Sequence, residues 1–223
     1  PGLSQDEHLI HVNSAVVVFL LILGGSFAAN LALKARRKEQ VVPSGKVSFL
    51  NIIDVAVEQV YGFITETLGK GRENYFPFIG ALFFFILFGN LIGLIPNSHA
   101  PTSSTNTTFA VGILAFLFYN MSGVQAHGVV GYLKHFLMGL GPFGIFIALL
   151  EMVSHCARPL SLGIRLFVNM HVDHAVLLTF QDLVAWVLPA ILLIFGIAVS
   201  TIQAFVFAVL TAVYVQMATE HEH

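Results

Sequence analysis

The chain has 223 residues, 57% of them hydrophobic and only 10% charged, with 21 Phe and a mean hydropathy of +0.84. That is far too little polar surface to cover a soluble domain of this length, so the composition places the chain in a bilayer. A formal net charge of −2 gives no hint of a nucleic-acid partner, and the single Cys156 excludes an internal disulfide.

A hydrocarbon core of ~30 Å needs roughly 20 residues per helix, and the apolar runs supply about five crossings. The first spans about Leu9 to Leu33 and is closed by Lys34, Arg36, Arg37 and Lys38, which by the positive-inside rule lie on the inner side. A signal peptide carries its charges before the apolar core; here they follow it, as in a retained anchor. The stretch from Val47 to Leu68 has apolar residues at helical spacing with Asp54, Glu58 and Glu66 between them, and is expected to lie along the inner surface. Phe76 to Ile95 is the second crossing, ended by Pro96. Asn97 to Thr108 is a polar turn, and the third crossing runs from about Phe109 to Gln125.

Lys134 and His135 mark a return to the inner face. A long, interrupted apolar stretch follows Pro142 as far as Leu178, and the last helix runs from about Trp186 to Met217, ahead of the solvated tail Glu220 to His223. The expected fold is an all-α polytopic membrane protein with about five crossings plus an amphipathic inner-surface helix. Two segments divide it: 1–46, the first helix and its basic inner end, and 47–223, which holds the remaining helices. Gly69-Lys70-Gly71 lacks the spacing of a phosphate loop, so any nucleotide chemistry belongs to a partner.

The unusual chemistry lies in the fourth crossing. Arg165 is the last Lys or Arg of the chain. A guanidinium deep in an apolar stretch costs about 2.5 to 3.5 kcal/mol on insertion scales and cannot escape by losing its proton. At 3.6 residues per turn, Ser161, Arg165 and Asn169 follow one another a turn apart, each displaced by about 40°, and Glu151 projects to the same side if the helix is continuous. Asp173 lies about 80° round from Arg165 and roughly 12 Å along the axis, whereas His174 is about 180° round. Pro159 is expected to kink the helix below the arginine.

Ser161-Leu162-Gly163-Ile164-Arg165-Leu166-Phe167-Val168-Asn169-Met170, Glu151 fourteen residues before the arginine, and Gln203-Ala204-Phe205-Val206-Phe207 in the last helix resemble subunit a of the rotary F-type ATP synthases. Asn90-Leu91-Ile92-Gly93-Leu94-Ile95-Pro96 is similar to that family's second-helix signature, and the likeness covers about Val47 to Ala218. The resemblance implies that 47–223 is a proton-channel domain whose last two helices lie long and tilted against a ring of c subunits. It implies peripheral-stalk b subunits as further partners, two offset aqueous half-channels, no cofactor and no catalysis by the chain alone. By position, Arg165 resembles the family arginine, Asn169 and Gln203 its polar neighbours, Glu151 and Ser161 residues of the inner half-channel, and His174 the outer half-channel site. The membrane it implies is a bacterial inner membrane, with the mitochondrial inner membrane as the alternative.

The chain departs from the family where many members carry His or Glu seven positions before the glutamine; here that position is Gly196, while Asp173 stands where Gly is common. The departure suggests a swap, with Gly196 leaving room for the carboxylate of an Asp173/His174 pair that His171 extends. His171-Val172-Asp173-His174 also reads as a metal site, but two or three side chains on one helix fall short of the four that structural zinc wants, and no metal is expected. Two other functions compete: a stand-alone proton-coupled transporter, which would show repeated halves with broken helices, and a scaffold that packs other subunits.

Overall fold

The computed structural model describes the backbone of residues 5–36, 49–69, 71–95, 98, 100–137, 144–181 and 187–220; of Glu151, Asp173 and His174 only the backbone belongs to that set. Arg37, Lys38, Pro96, Asn97, His99, Pro142, Trp186 and the tail from His221 lie outside it, as do the side chains of Lys34, Lys134 and His135. Among the described residues there are six α-helices and no strand: α1 (Gln5–Arg36), α2 (Phe49–Leu68), α3 (Phe76–Gly93), α4 (Thr105–Leu137), α5 (Gly144–Gln181) and α6 (Val187–Thr219). Short 3-10 turns at Glu73–Tyr75 and Pro101–Ser103 lead into α3 and α4.

Within the described residues three stretches are long and apolar enough to cross a membrane: Glu73–Gly93, Thr105–Tyr132 and Ile191–Thr219. The first predicted crossing contributes a shorter apolar helix, Val12–Ala28. The segment expected as the fourth falls on α5, whose 38 residues make a helix roughly 57 Å long at 1.5 Å per residue, and it is not among the three stretches above. The predicted inner-surface helix is α2, with Asp54, Glu58 and Glu66 exposed and Ile64 and Leu68 buried against the rest of the chain. Its amphipathic pattern therefore has a partner within the protein.

The core is the meeting of α3, α4 and α6. Ile79, Leu82, Phe83 and Ile86 of α3, Val111, Ala115 and Tyr119 of α4, and Ala204, Phe207, Ala208, Ala212 and Val215 of α6 form one buried cluster, joined by Leu162 and Leu166 of α5. Tyr119 and Phe207 are the largest side chains in it to be almost wholly buried. A cation joins two helix ends: Arg72 donates to the carbonyls of Leu68 (3.2 Å) and Thr219 (3.3 Å), which ties together the C-terminal ends of α2 and α6. Carbonyls at helix ends lack intrahelical donors, so a guanidinium is well matched to them.

Lipid tails offer helices no hydrophobic reason to associate, so close approach through small residues matters. Among the described residues α4 and α5 share the most extensive helix–helix contact, and it runs through glycine. A Cβ at Gly112 would stand 2.8 Å from the carbonyl oxygen of Pro159, and one at Gly163 would stand 3.3 Å from that of Thr108. On α3, a Cβ at Gly93 would collide with the side chains of Met170 and Ala100, so this glycine lets the Arg165 segment of α5 lie against α3.

A break in helical backbone falls on α4. α5 continues through Pro159 as one helix, whereas α4 extends beyond Gln125 to Leu137 and is broken at Gly128, with φ 72° and ψ 162°. That conformation is open to glycine and strongly disfavoured for residues with a Cβ. The chain turns there and brings Tyr132 back against Gly123, where a Cβ would lie 2.5 Å from the Tyr132 ring.

Candidate functional site

α5 turns Leu162, Leu166 and Met170 inward, all within 2% of full burial. The helical period then forces the intervening residues outward. Ser161 and Arg165 are exposed on that outward side with Leu160, Ile164, Val168 and Val172. Arg165 therefore does not point into the helix bundle. It stands on an apolar face, and among the described residues it has no hydrogen-bond or ion-pair partner. The neighbouring face of α6 is equally apolar and exposed, with Ile194, Phe195, Ile197 and Ile202.

Beside the arginine, α5 and α6 are joined by one direct polar link: Asn169 Nδ2 donates to Gln203 Oε1 at 2.7 Å. Gln203 is 4% exposed, and among the described residues its buried Nε2 has no partner, so the amide holds a donor in reserve beside Asn169. An unmet buried donor is costly in a core, and it marks a position to be filled by a ligand, water or partner group. Of the predicted site, Asn169 and Gln203 meet between α5 and α6, and Arg165 stands one turn before Asn169 on α5.

The other predicted residues divide. Ser161 is exposed one turn from Arg165, and its hydroxyl donates to the Arg158 carbonyl at 2.9 Å. His171 is exposed, with its ring 3.9 Å from that of Phe167 and Nδ1 3.1 Å from the Phe167 carbonyl, a contact within its own helix. Glu151, Asp173 and His174 fall on α5 at the expected register, and their side chains lie outside the described residues. The room expected beside Gly196 is taken: a Cβ there would meet Leu94 Cδ2 at 2.7 Å.

A second polar cluster, which the sequence motifs did not single out, sits below the arginine. Asn120 Oδ1 accepts hydrogen bonds from Tyr132 and from His155 Nε2, each at 2.9 Å, while its Nδ2 donates to the Phe116 carbonyl at 2.7 Å. Tyr119 OH lies 3.4 Å from both ring nitrogens of His155. Arg158 stacks over the Tyr214 ring of α6, 5.2 Å from its centroid, a cation–π geometry. The available signal was Arg158 itself, a second arginine two turns before Arg165 and open to the same cost argument.

Helices of membrane length, with a charge on an outward apolar face and a polar link between two of the helices, define a polytopic all-α membrane protein. The family model of the ATP synthase A chain matches residues 13–216. The chain is 40% identical over 227 residues to the ATP synthase subunit a of Bdellovibrio bacteriovorus, covering 100% of this chain and 96% of that one. It is 38% identical to the subunit a of Trichlorobacter lovleyi over 97% and 94% of the two chains, and 39% identical to that of Geobacter sulfurreducens over 93% and 86%. The chain belongs to the ATP synthase A chain family: it is a membrane component of the ATP synthase complex, with a part in proton transport and ATP synthesis.

Proposed function

We propose that the chain is the proton-conducting stator of a rotary ATP synthase and that Arg165 separates two offset half-channels facing a ring of c subunits. The observation that carries this reading is the outward position of Arg165. A guanidinium on an apolar, lipid-depth face needs an external counter-charge, and the passing carboxylate of a rotor subunit supplies one. The arginine attracts that carboxylate, favours loss of its proton and repels free protons from the gap between the channels.

In this reading Asn169 and Gln203 hold α5 and α6 in register beside the arginine, and the unpaired Gln203 Nε2 donates to a water or to the rotor carboxylate as it passes. Glu151 and Ser161 line the inner half-channel, while Asp173 and His174, extended by His171, form the outer one. The chain carries out no catalysis alone. Peripheral-stalk b subunits hold it still, and the bacterial relatives favour a bacterial inner membrane.

The test is ATP-driven acidification of inverted vesicles carrying the assembled complex. Arg165→Ala is expected to reduce pumping to background while the complex still assembles. Pumping at the wild-type rate would leave the scaffold reading standing. A cysteine at Glu151, in a background lacking Cys156, is expected to react with soluble thiol reagents from the inner side only; protection from both sides would remove Glu151 from the channel.

A further inference from the structure

The cluster below Arg165 has one feature that packing alone does not require. Asn120 is anchored by the Phe116 carbonyl, which can only accept, so Nδ2 must face it and Oδ1 must face the other way. Both groups meeting Oδ1 are therefore donors: the Tyr132 hydroxyl and His155 Nε2. The neutral imidazole is fixed as the Nε2–H tautomer. Its Nδ1 is then the acceptor nitrogen, 3.4 Å from Tyr119 OH. The ring is held edge-on by Phe116 and Tyr119, with centroids at 5.1 and 5.3 Å.

The backbone is shaped to hold this arrangement. The φ of 72° at Gly128 turns α4 back so that Tyr132 reaches Asn120, twelve residues earlier, and Gly123 leaves space for the Tyr132 ring. Along α5, His155 precedes Arg165 by ten residues, about 15 Å toward the inner end, and follows Glu151 by one turn. Among the described residues the titratable and charged groups around it include Tyr119 and Tyr132 from α4 and Arg158 from α5, with Tyr214 of α6 against Tyr119 and Arg158. Among these only imidazole exchanges protons near neutral pH without perturbation.

We propose that His155 is a proton-relay residue on the inner side of Arg165, taking up and releasing its proton at Nδ1, with Asn120 and Tyr132 as positioning residues. The assignment rests on the proton-conducting reading above. A proton from a water or carboxyl on one side adds to the Nδ1 lone pair, and the imidazolium keeps its Nε2–H bond to Asn120. Loss of that same proton from Nδ1 to an acceptor on the other side restores the neutral ring, and no other bond changes.

The experiment measures ATP-driven acidification of inverted vesicles against pH for wild type, His155→Gln, His155→Ala and Arg165→Ala. Glutamine keeps an N–H for Asn120 but binds no proton. It is expected to assemble normally, to lower the pumping rate about a hundredfold and to flatten the dependence of pumping on pH. Added imidazole is expected to restore part of the His155→Ala rate, and pyrazole, of the same shape but far less basic, is expected not to. A wild-type rate and profile in His155→Gln, or equal rescue by the two heterocycles, overturns the relay. If Arg165→Ala also pumps normally, the failure belongs to the stator reading; if Arg165→Ala is inactive, it belongs to His155 alone.

Discussion

Two arginines stand seven residues apart on α5, nearly the same direction around the helix, and the chain treats them oppositely. Arg158 is half-buried and stacked on Tyr214, beside a network in which Asn120, Tyr132 and His155 satisfy one another. Arg165 is exposed among Ile164, Val168 and Leu160 with no partner among the described residues. Among the described residues one cation is taken up by the fold and the other is not, and it is Arg165 that we propose meets a charge supplied by a partner.

The largest expected effect separates the two. Arg165→Ala is expected to abolish proton pumping with the detergent-solubilised complex unchanged in thermal stability, since its guanidinium contacts little of the chain. Arg158→Ala is expected to do the reverse in kind: a stability loss of about 1 kcal/mol from the cation–π contact and its packing, with pumping lowered severalfold and not abolished. Thermal unfolding followed together with vesicle acidification checks both. If Arg158→Ala matches Arg165→Ala in abolishing flux at full stability, the division into structural and functional arginine fails.

A smaller effect tests the seam behind Arg165. Asn169→Leu removes the donor to Gln203 Oε1, and because Gln203 Nε2 already lacks a partner, the whole buried amide is then unsatisfied. Such bonds between membrane helices average about 0.6 kcal/mol, so the stability cost is expected to be slight and the loss of pumping about threefold to tenfold. Gln203→Leu in the same background relieves the orphaned amide and is expected to recover stability without recovering flux. Recovery of both would make the pair a packing device.

Much of this was legible in the sequence because a helix has a fixed period. The outward stripe of Ser161 and Arg165, the turn to Asn169 and the approximate ends of α2, α3 and α6 all follow from 3.6 residues per turn and from apolar run length. What periodicity relates is residues on one helix. The Asn120 hub joins residues 35 apart on two helices, and nothing in a single strand of text pairs them. The break at Gly128 has a similar origin. Pro159 announces a disruption of helical bonding, but α5 carries it within a close contact with α4, while Gly128 only permits a turn and the Tyr132–Asn120 bond secures it.

The smallest effect concerns the proposed exchange of a carboxylate between α6 and α5. The expectation of open space at Gly196 came from the absence of a side chain, yet absence in the sequence is not vacancy in the fold: Leu94 at the end of α3 fills it. The atom a new Cβ would meet is the far end of a flexible side chain, so Gly196→Ala is expected to cost about 1 kcal/mol and to leave pumping near wild type, with the Leu94 side chain moving aside. A longer side chain needs Leu94 to leave altogether. Asp173→Gly is therefore expected to be rescued better by Gly196→Glu combined with Leu94→Ala than by Gly196→Glu alone, and the ratio of the two acidification rates measures how far Leu94 stands in the way. Equal rescue by both would mean that Leu94 moves aside freely. No rescue by either would separate Asp173 from Gly196 and return Asp173 to the role of a helix-packing residue.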